Sequence, residues 1–208
     1  IEQVQKTAGV LGAEVYTKFP FVHGAKPTIE SPMELALNRT WRAALSVVGA
    51  AGLPEPTKAG SVLRPQTSLK LSMRLPPTAH AASAAEELKR TLEANPPYGA
   101  KVNFQYEDCA TGWNAPKMQP QLEQLIHRAS VAFYGKEPLA LGEGGTIPFM
   151  GMLGRNFPQA QFVVTGVLGP HSNAHGPNEF LHIEYAKKLT ACITTILAGV
   201  DDLKMSKV

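Results

Sequence analysis

The stretch SLKLSMRLPP, residues 68–77, constrains the fold more than any other part of the chain. Leu69, Leu71, Met73 and Leu75 alternate with Ser68, Lys70, Ser72 and Arg74. A period of two places the first set on one face of a strand and the second set on the other. The chain therefore contains a sheet with one apolar and one polar face, the pattern of antiparallel rather than parallel sheets. Pro76 and Pro77 end the strand, because proline brings no N–H to a ladder. KVNFQY, residues 101–106, alternates again, with Val102, Phe104 and Tyr106 directed inward. Residues 41–48 predict a third strand, followed by a loop with the composition GLPEPTKAG. Between the strands, residues 81–92 are rich in Ala, Glu and Leu and predict a helix. The order β-β-α-β predicts an α+β domain, ferredoxin-like, with an antiparallel sheet and helices on one face.

The second half follows another pattern. Leu122, Leu125, Ile126, Ala129 and Phe133 recur at helical spacing within residues 119–134. QFVVTGVL, residues 161–168, is a near-continuous apolar run, which predicts a strand buried on both faces of a parallel sheet. Asn178 suits the N-cap of a helix reaching to about Ala198, with Tyr185, Leu189, Cys192, Ile196 and Val200 as its buried stripe and Gly199 at its end. The change of style falls in GWNAPKMQP, residues 112–120, and divides the chain into residues 1–114 and a partial α/β domain at 115–208. Residues 1–15 have a loose helical period, with Val4, Ala8, Leu11 and Val15 on one face.

Charge narrows the function. The net charge is +3 and the basic residues are scattered, which argues against a nucleic-acid partner. No apolar run reaches the roughly 18 residues of a membrane span. Cys109 and Cys192 stand alone without motif spacing, so the expectation is two unpaired, ordinary buried thiols in a reducing, cytoplasmic setting. The chain begins at Ile1, and the expectation is a portion of a longer protein.

Three clusters could carry chemistry. GEGGTIPF, residues 142–149, reads either as a tight turn with an N-cap or as a close backbone approach to an anion at a helix start. Arg74 reads either as part of a solvated strand face or as a bidentate clamp for a carboxylate. In HSNAHGPNEFLHIEY, residues 171–185, His171 and His175 stand four apart, but Gly176 and Pro177 exclude a continuous helix there. Each could donate to zinc or simply occupy a turn, and a zinc site needs about four donors. His182 falls inside the predicted last helix, where packed or exposed positions are the ordinary reading.

Taken in order, KLSMRLPP at 70–77, GEGGTIPF at 142–149 and NAHGPNEFLHIEY at 173–185 resemble the C-terminal portion of the M20 family of zinc metallopeptidases, nearest the carnosinase-like dipeptidases and their deacylase relatives. The resemblance covers roughly residues 40–200. It implies that residues 1–114 are most of a lid and dimerisation domain, lacking its opening strand and helix, and that 115–208 return into a catalytic domain with two zinc (or manganese) ions. By the resemblance, His175 is the last metal ligand and Arg74 holds the substrate's C-terminal carboxylate. Thr146, with Gly144 and Gly145, contacts substrate, and Ser61 falls where relatives reach the partner's active site. The family's remaining ligands, and the Glu that acts as general base, have no counterpart here, so no catalytic residue is assigned. Asp108 or Cys109 stands where relatives carry a lid histidine. The implied function is one portion of an amidohydrolase acting on dipeptides or N-acyl amino acids, inactive and a poor metal binder as this chain alone. The partners implied are a small peptide substrate and a second copy through the lid. The alternative is a dimerisation or binding module without catalysis.

Overall fold

The computed structural model describes residues 1–17, 19, 21–107, 109–143, 147–169 and 171–200. The element order is α1 (Glu2–Leu11), α2 (Glu14–Thr17), α3 (Pro32–Thr40), β1 (Ala44–Ala51), β2 (Ser68–Arg74), α4 (Ala81–Ala94), α5 (Pro120–Tyr134), α6 (Pro148–Asn156) and α7 (Ile183–Ala198), with short 3₁₀ turns at Pro56–Lys58 and Pro97–Gly99. The chain divides into two compact units. One comprises residues 1–35, 115–141 and 154–208, and the other residues 36–114 and 142–153. The architecture is α+β with a two-stranded antiparallel sheet. No helix among the described residues is long and apolar enough to cross a membrane.

The core of the first unit lies between α5 and α7. Leu122, Leu125 and Ala129 stand at helical spacing on α5, and Cys192 and Ile196 stand four apart on α7; all five are buried together. Tyr185 and Leu189 are partly buried along the same stripe, whereas Val200 is exposed. The Cys192 thiol donates to the Ala129 carbonyl at 3.4 Å, and burial pushes it above its ordinary pKa. Gly135 ends α5 in the left-handed region at φ 68°, its N–H returning to Val131 O. The first helix breaks at Gly12, φ 51°, so the predicted single helix becomes α1 and α2. Its predicted face holds, since Val4, Ala8 and Val15 are buried.

In the second unit, β1 pairs with β2 as the alternation requires. Leu45 faces Met73, Val47 faces Leu71 and Ala50 faces Leu69. The register shifts between Val47 and Gly49, so Val48 is the extra residue of a bulge. That single insertion keeps apolar opposite apolar along the whole ribbon, and leaves Arg74, Ser72, Lys70 and Ser68 opposite Ala44, Ser46, Gly49 and Ala51. Gly49 suits this place, where a Cβ would lie 3.4 Å from that of Lys70. The predicted first strand is thus displaced, running from Ala44 to Ala51 rather than 41–48.

Several expectations are corrected. Residues 101–106 form no strand. Their polar groups turn to α4 instead: the Phe104 N–H donates to Glu93 Oε1 at 2.7 Å, and the Tyr106 hydroxyl is hydrogen-bonded to Glu86. Glu86 and Glu93 lie seven apart, on one face of the helix, so α4 offers acceptors where a neighbouring strand would. Residues 161–168 also join no ladder, and Val163, Val164, Val167 and Leu168 are exposed. A parallel strand needs strands beside it, and none borders this run among the described residues. The apolar face of the ribbon is not buried either: Leu69 is 55% exposed. Cys109 is exposed, not buried, and only Cys192 meets that expectation; both are free thiols.

Candidate functional site

The last helix starts later than Asn178. Asn178 has φ 58°, which does not fit an N-cap; the cap is His182, whose Nδ1 accepts from the Tyr185 N–H at 3.3 Å. Both nitrogen chemistry and position explain this: a neutral imidazole can accept a helix-terminal N–H as Asn does. His182 is therefore a capping residue rather than one inside the helix. His80 does the same for α4, accepting from the Ser83 N–H at 3.4 Å.

Ahead of that cap, Gly169 and residues 171–180 are knit together by their own polar groups. Ser172 is 2% exposed, and its Oγ donates to Gly169 O at 2.7 Å and accepts from the Gly169 N–H at 3.0 Å. The Phe180 N–H donates to Ser172 O at 3.2 Å, so the loop returns on itself. Asn173 Nδ2 donates to Pro177 O at 2.6 Å, and the Gly176 N–H donates to Asn173 O at 2.9 Å. A Cβ on Gly176 would meet the Asn173 side chain at 2.6 Å, which is why the turn takes glycine there. The His175 N–H donates to Glu179 Oε2 at 3.2 Å. Ser172 was not singled out from sequence, where a Gly-x-x-Ser turn was the available signal; Glu179, expected from the resemblance to start the last helix with Asn178, lies in the loop ahead of it instead.

His175 is exposed on this loop, and its imidazole has no hydrogen-bond partner among the described residues. It fits one ligand of a metal centre, since a donor ring must keep a nitrogen free. It does not make a centre: among the described residues no three of His, Cys, Asp and Glu gather. His171 lies on the same loop at φ 62°.

The other candidates lie in the second unit. Arg74 ends β2 on the polar face of the ribbon, exposed and opposite Ala44, with Lys70 and Ser72 nearby on its own strand. Ser61 is exposed in the connection between the strands. Gly144, Gly145 and Thr146 lie outside the described residues, as does Asp108. Further along, Pro148 opens α6 as proline at a helix start should, and the Met150 N–H donates to Ile147 O at 3.0 Å. Before it, Gly142 approaches Thr40 so closely that a Cβ would stand 3.2 Å from the threonine's.

One further polar feature belongs to the α5–α7 core. The Tyr134 hydroxyl donates to Tyr185 O at 3.2 Å, the two rings stand 5.4 Å apart, and Lys188 Nζ lies 5.8 Å from the Tyr134 ring centre. Burial first, and then the neighbouring Tyr185, push the Tyr134 hydroxyl up to about 12. The pair braces the first turn of α7, directly after the His182 cap.

No family model matches the chain. It is 31% identical over 156 residues to the cysteinylglycine-S-conjugate dipeptidase of Corynebacterium striatum, a match covering 70% of this chain and 33% of the relative. The chain thus spans about a third of that relative's length. Among solved structures, the M20 family metallo-carboxypeptidase Sso-CP2 from Sulfolobus solfataricus superposes with a TM-score of 0.63 at 19% identity, over 94% of this chain and 43% of that one. Human carnosine dipeptidase 1 gives 0.60 at 18% identity over 90% and 42%. The di-peptidase Dug1p from Saccharomyces cerevisiae gives 0.60 at 18% over 88% and 41%. The structures share the fold, and the Corynebacterium relative shares the sequence. The chain is thus similar in sequence and fold to the C-terminal part of M20 family metallopeptidases.

Proposed function

We propose that this chain supplies the substrate-carboxylate clamp and one metal ligand of an amidohydrolase that cleaves dipeptides or N-acyl amino acids, with S-substituted cysteinylglycines as the first class to try. The observation that carries the reading is the 31% identity to a cysteinylglycine-S-conjugate dipeptidase. In a complete centre, two zinc or manganese ions supply a water made nucleophilic near neutral pH. This chain's own residues then have separable tasks. The Arg74 guanidinium pairs with the free carboxylate of the substrate and fixes its register. The imidazole of His175 serves as a donor held on a locked loop. Gly144, Gly145 and Thr146 offer small residues and a hydroxyl to the substrate, and Ser61 is a polar contact from the strand connection. In this reading the lid is the ribbon-bearing part of residues 1–114, and 115–208 belong to the catalytic domain. The two free cysteines suit a reducing, cytoplasmic setting.

By the resemblance the remaining ligands and the general base have no counterpart in these residues, so the expectation is that the chain by itself binds metal poorly and turns over nothing. The test is a hydrolysis assay with added zinc or manganese against dipeptides, N-acyl amino acids and S-substituted cysteinylglycines. Turnover by the purified chain alone would sink the incomplete-site reading. Joined to the N-terminal part of an M20 peptidase, the chain restores turnover. There Arg74→Ala raises KM by roughly tenfold to a hundredfold, the loss of charged hydrogen bonds to a carboxylate, and His175→Ala lowers metal content. An unchanged KM removes Arg74 from the clamp.

A second reading, a dimerisation or binding module without catalysis, is favoured by one observation. No strand among the described residues pairs with the ribbon's edges, and its apolar face bears exposed Leu45, Val47, Leu69 and Met73. Sedimentation over a concentration series tests it: a dimer abolished by proline in an edge strand supports the module, and a strict monomer removes it.

A further inference from the structure

Within residues 171–178, four residues other than glycine hold positive φ: His171 at 62°, Asn173 at 54°, His175 at 63° and Asn178 at 58°. Side chains of L-residues avoid this region, and such backbone persists only where its surroundings over-determine it. Most of the restraint here comes from groups that do not touch His175. Ser172 closes the turn onto Gly169, and Asn173 closes it onto Pro177. One restraint acts on His175 itself, the bond from its N–H to Glu179 Oε2 at 3.2 Å.

We propose that Glu179 is a positioning residue for His175: its carboxylate, four residues on, captures the histidine's backbone N–H and holds the residue in the left-handed conformation that presents its ring. The inference rests on the reading of His175 as a metal ligand. Its physical content is local. A carboxylate accepting a backbone N–H makes a charge-assisted bond, stronger than the neutral bonds elsewhere in the loop. It leaves both imidazole nitrogens free, which a side chain bonded to the ring would not. Groups around a ligand that fix its orientation are a large part of what makes a metal site selective and tight. Glu179 does this through the main chain, where sequence inspection of ring partners would not find it.

Amide hydrogen exchange by NMR on the full chain tests the proposal, comparing the wild type with Glu179→Ala and Glu179→Gln. In Glu179→Ala the His175 amide exchanges faster by roughly tenfold, the consequence of losing one charge-assisted acceptor. Glu179→Gln, which keeps a carbonyl acceptor, returns it towards the wild-type rate. The amides of α7 and the thermal midpoint stay unchanged in both. An unchanged His175 amide in Glu179→Ala overturns the proposal. So does a general acceleration that includes α7 with a lower midpoint, because that describes a structural carboxylate and not a positioning one. The exchange is read without metal, so a failure of the ligand reading leaves it untouched and shows instead as metal content indifferent to His175→Ala.

Discussion

The α5–α7 pair and the β1–β2 ribbon have equally regular amphipathic patterns and opposite fates. On α5, Leu125 is 4% exposed, because α7 brings Cys192 and Ile196 against the same stripe. On β2, Leu69 sits in a strand whose register matches apolar to apolar without a fault, and yet it stays open to solvent. Periodicity shows which face of an element is apolar. It does not show what covers that face. A helix pair needs only one other helix to bury both stripes, whereas a two-stranded ribbon needs a further layer across its face before alternation becomes burial.

The sharpest way to break this contrast is to truncate the buried member. Leu125→Ala removes a side chain at the centre of the α5–α7 cluster, and should cost about 2–5 kcal/mol in chemical denaturation, as large-to-small changes in packed cores do. A loss below about 1 kcal/mol would mean that the helix pair is no better packed than the ribbon.

Alkali gives the next effect, confined to the same pair. Unfolded, a tyrosine releases its proton around its ordinary value of 10.0; folded, Tyr134 holds it to about 12, chiefly because of burial. The folded state then carries more protons than the unfolded state between those values. Stability therefore falls as pH rises from 10.0 to about 12 and is insensitive to this group below that window. Denaturation midpoints measured across the window should decline in the wild type and decline less in Tyr134→Phe, which keeps the ring against Tyr185 and has no proton to lose. Equal slopes would remove Tyr134 from the buried side of the comparison.

What could be read from sequence divides along the same line. The helical spacing of α5 and α7, the alternation of β2 and the helix over residues 81–92 were legible because each is a local pattern. The bulge at Val48 was not, since only the partner strand reveals that one residue must be stepped over to keep Ala50 opposite Leu69. Residues 101–106 and 161–168 carry strand-like patterns without a ladder, because pairing depends on neighbours and a pattern does not supply them. In the candidate site, Arg74 and His175 could be named from the order of the motifs alone, and their roles remain proposals. The details that set the His175 loop were not. Asn178 looked like the better cap by residue type, but His182 has the backbone that lets its Nδ1 reach the first turn of α7. Ser172 and Glu179 act on backbone groups, and such contacts leave little trace in a single sequence.

The smallest expected effect decides what the ribbon's face is for. Leu69→Ser replaces an exposed apolar group by a polar one on a strand that retains its ladder, so stability should change by within about 0.5 kcal/mol, as at ordinary surface positions. The measurement is a denaturation curve at two protein concentrations. A small, concentration-independent change leaves Leu69 facing water and keeps the contrast with Leu125 intact. A larger loss that grows with concentration would place a second copy over the face, since association stabilises by mass action. The comparison would then turn into a likeness: both apolar stripes would be buried, one by a helix of the same chain and the other by another molecule of it.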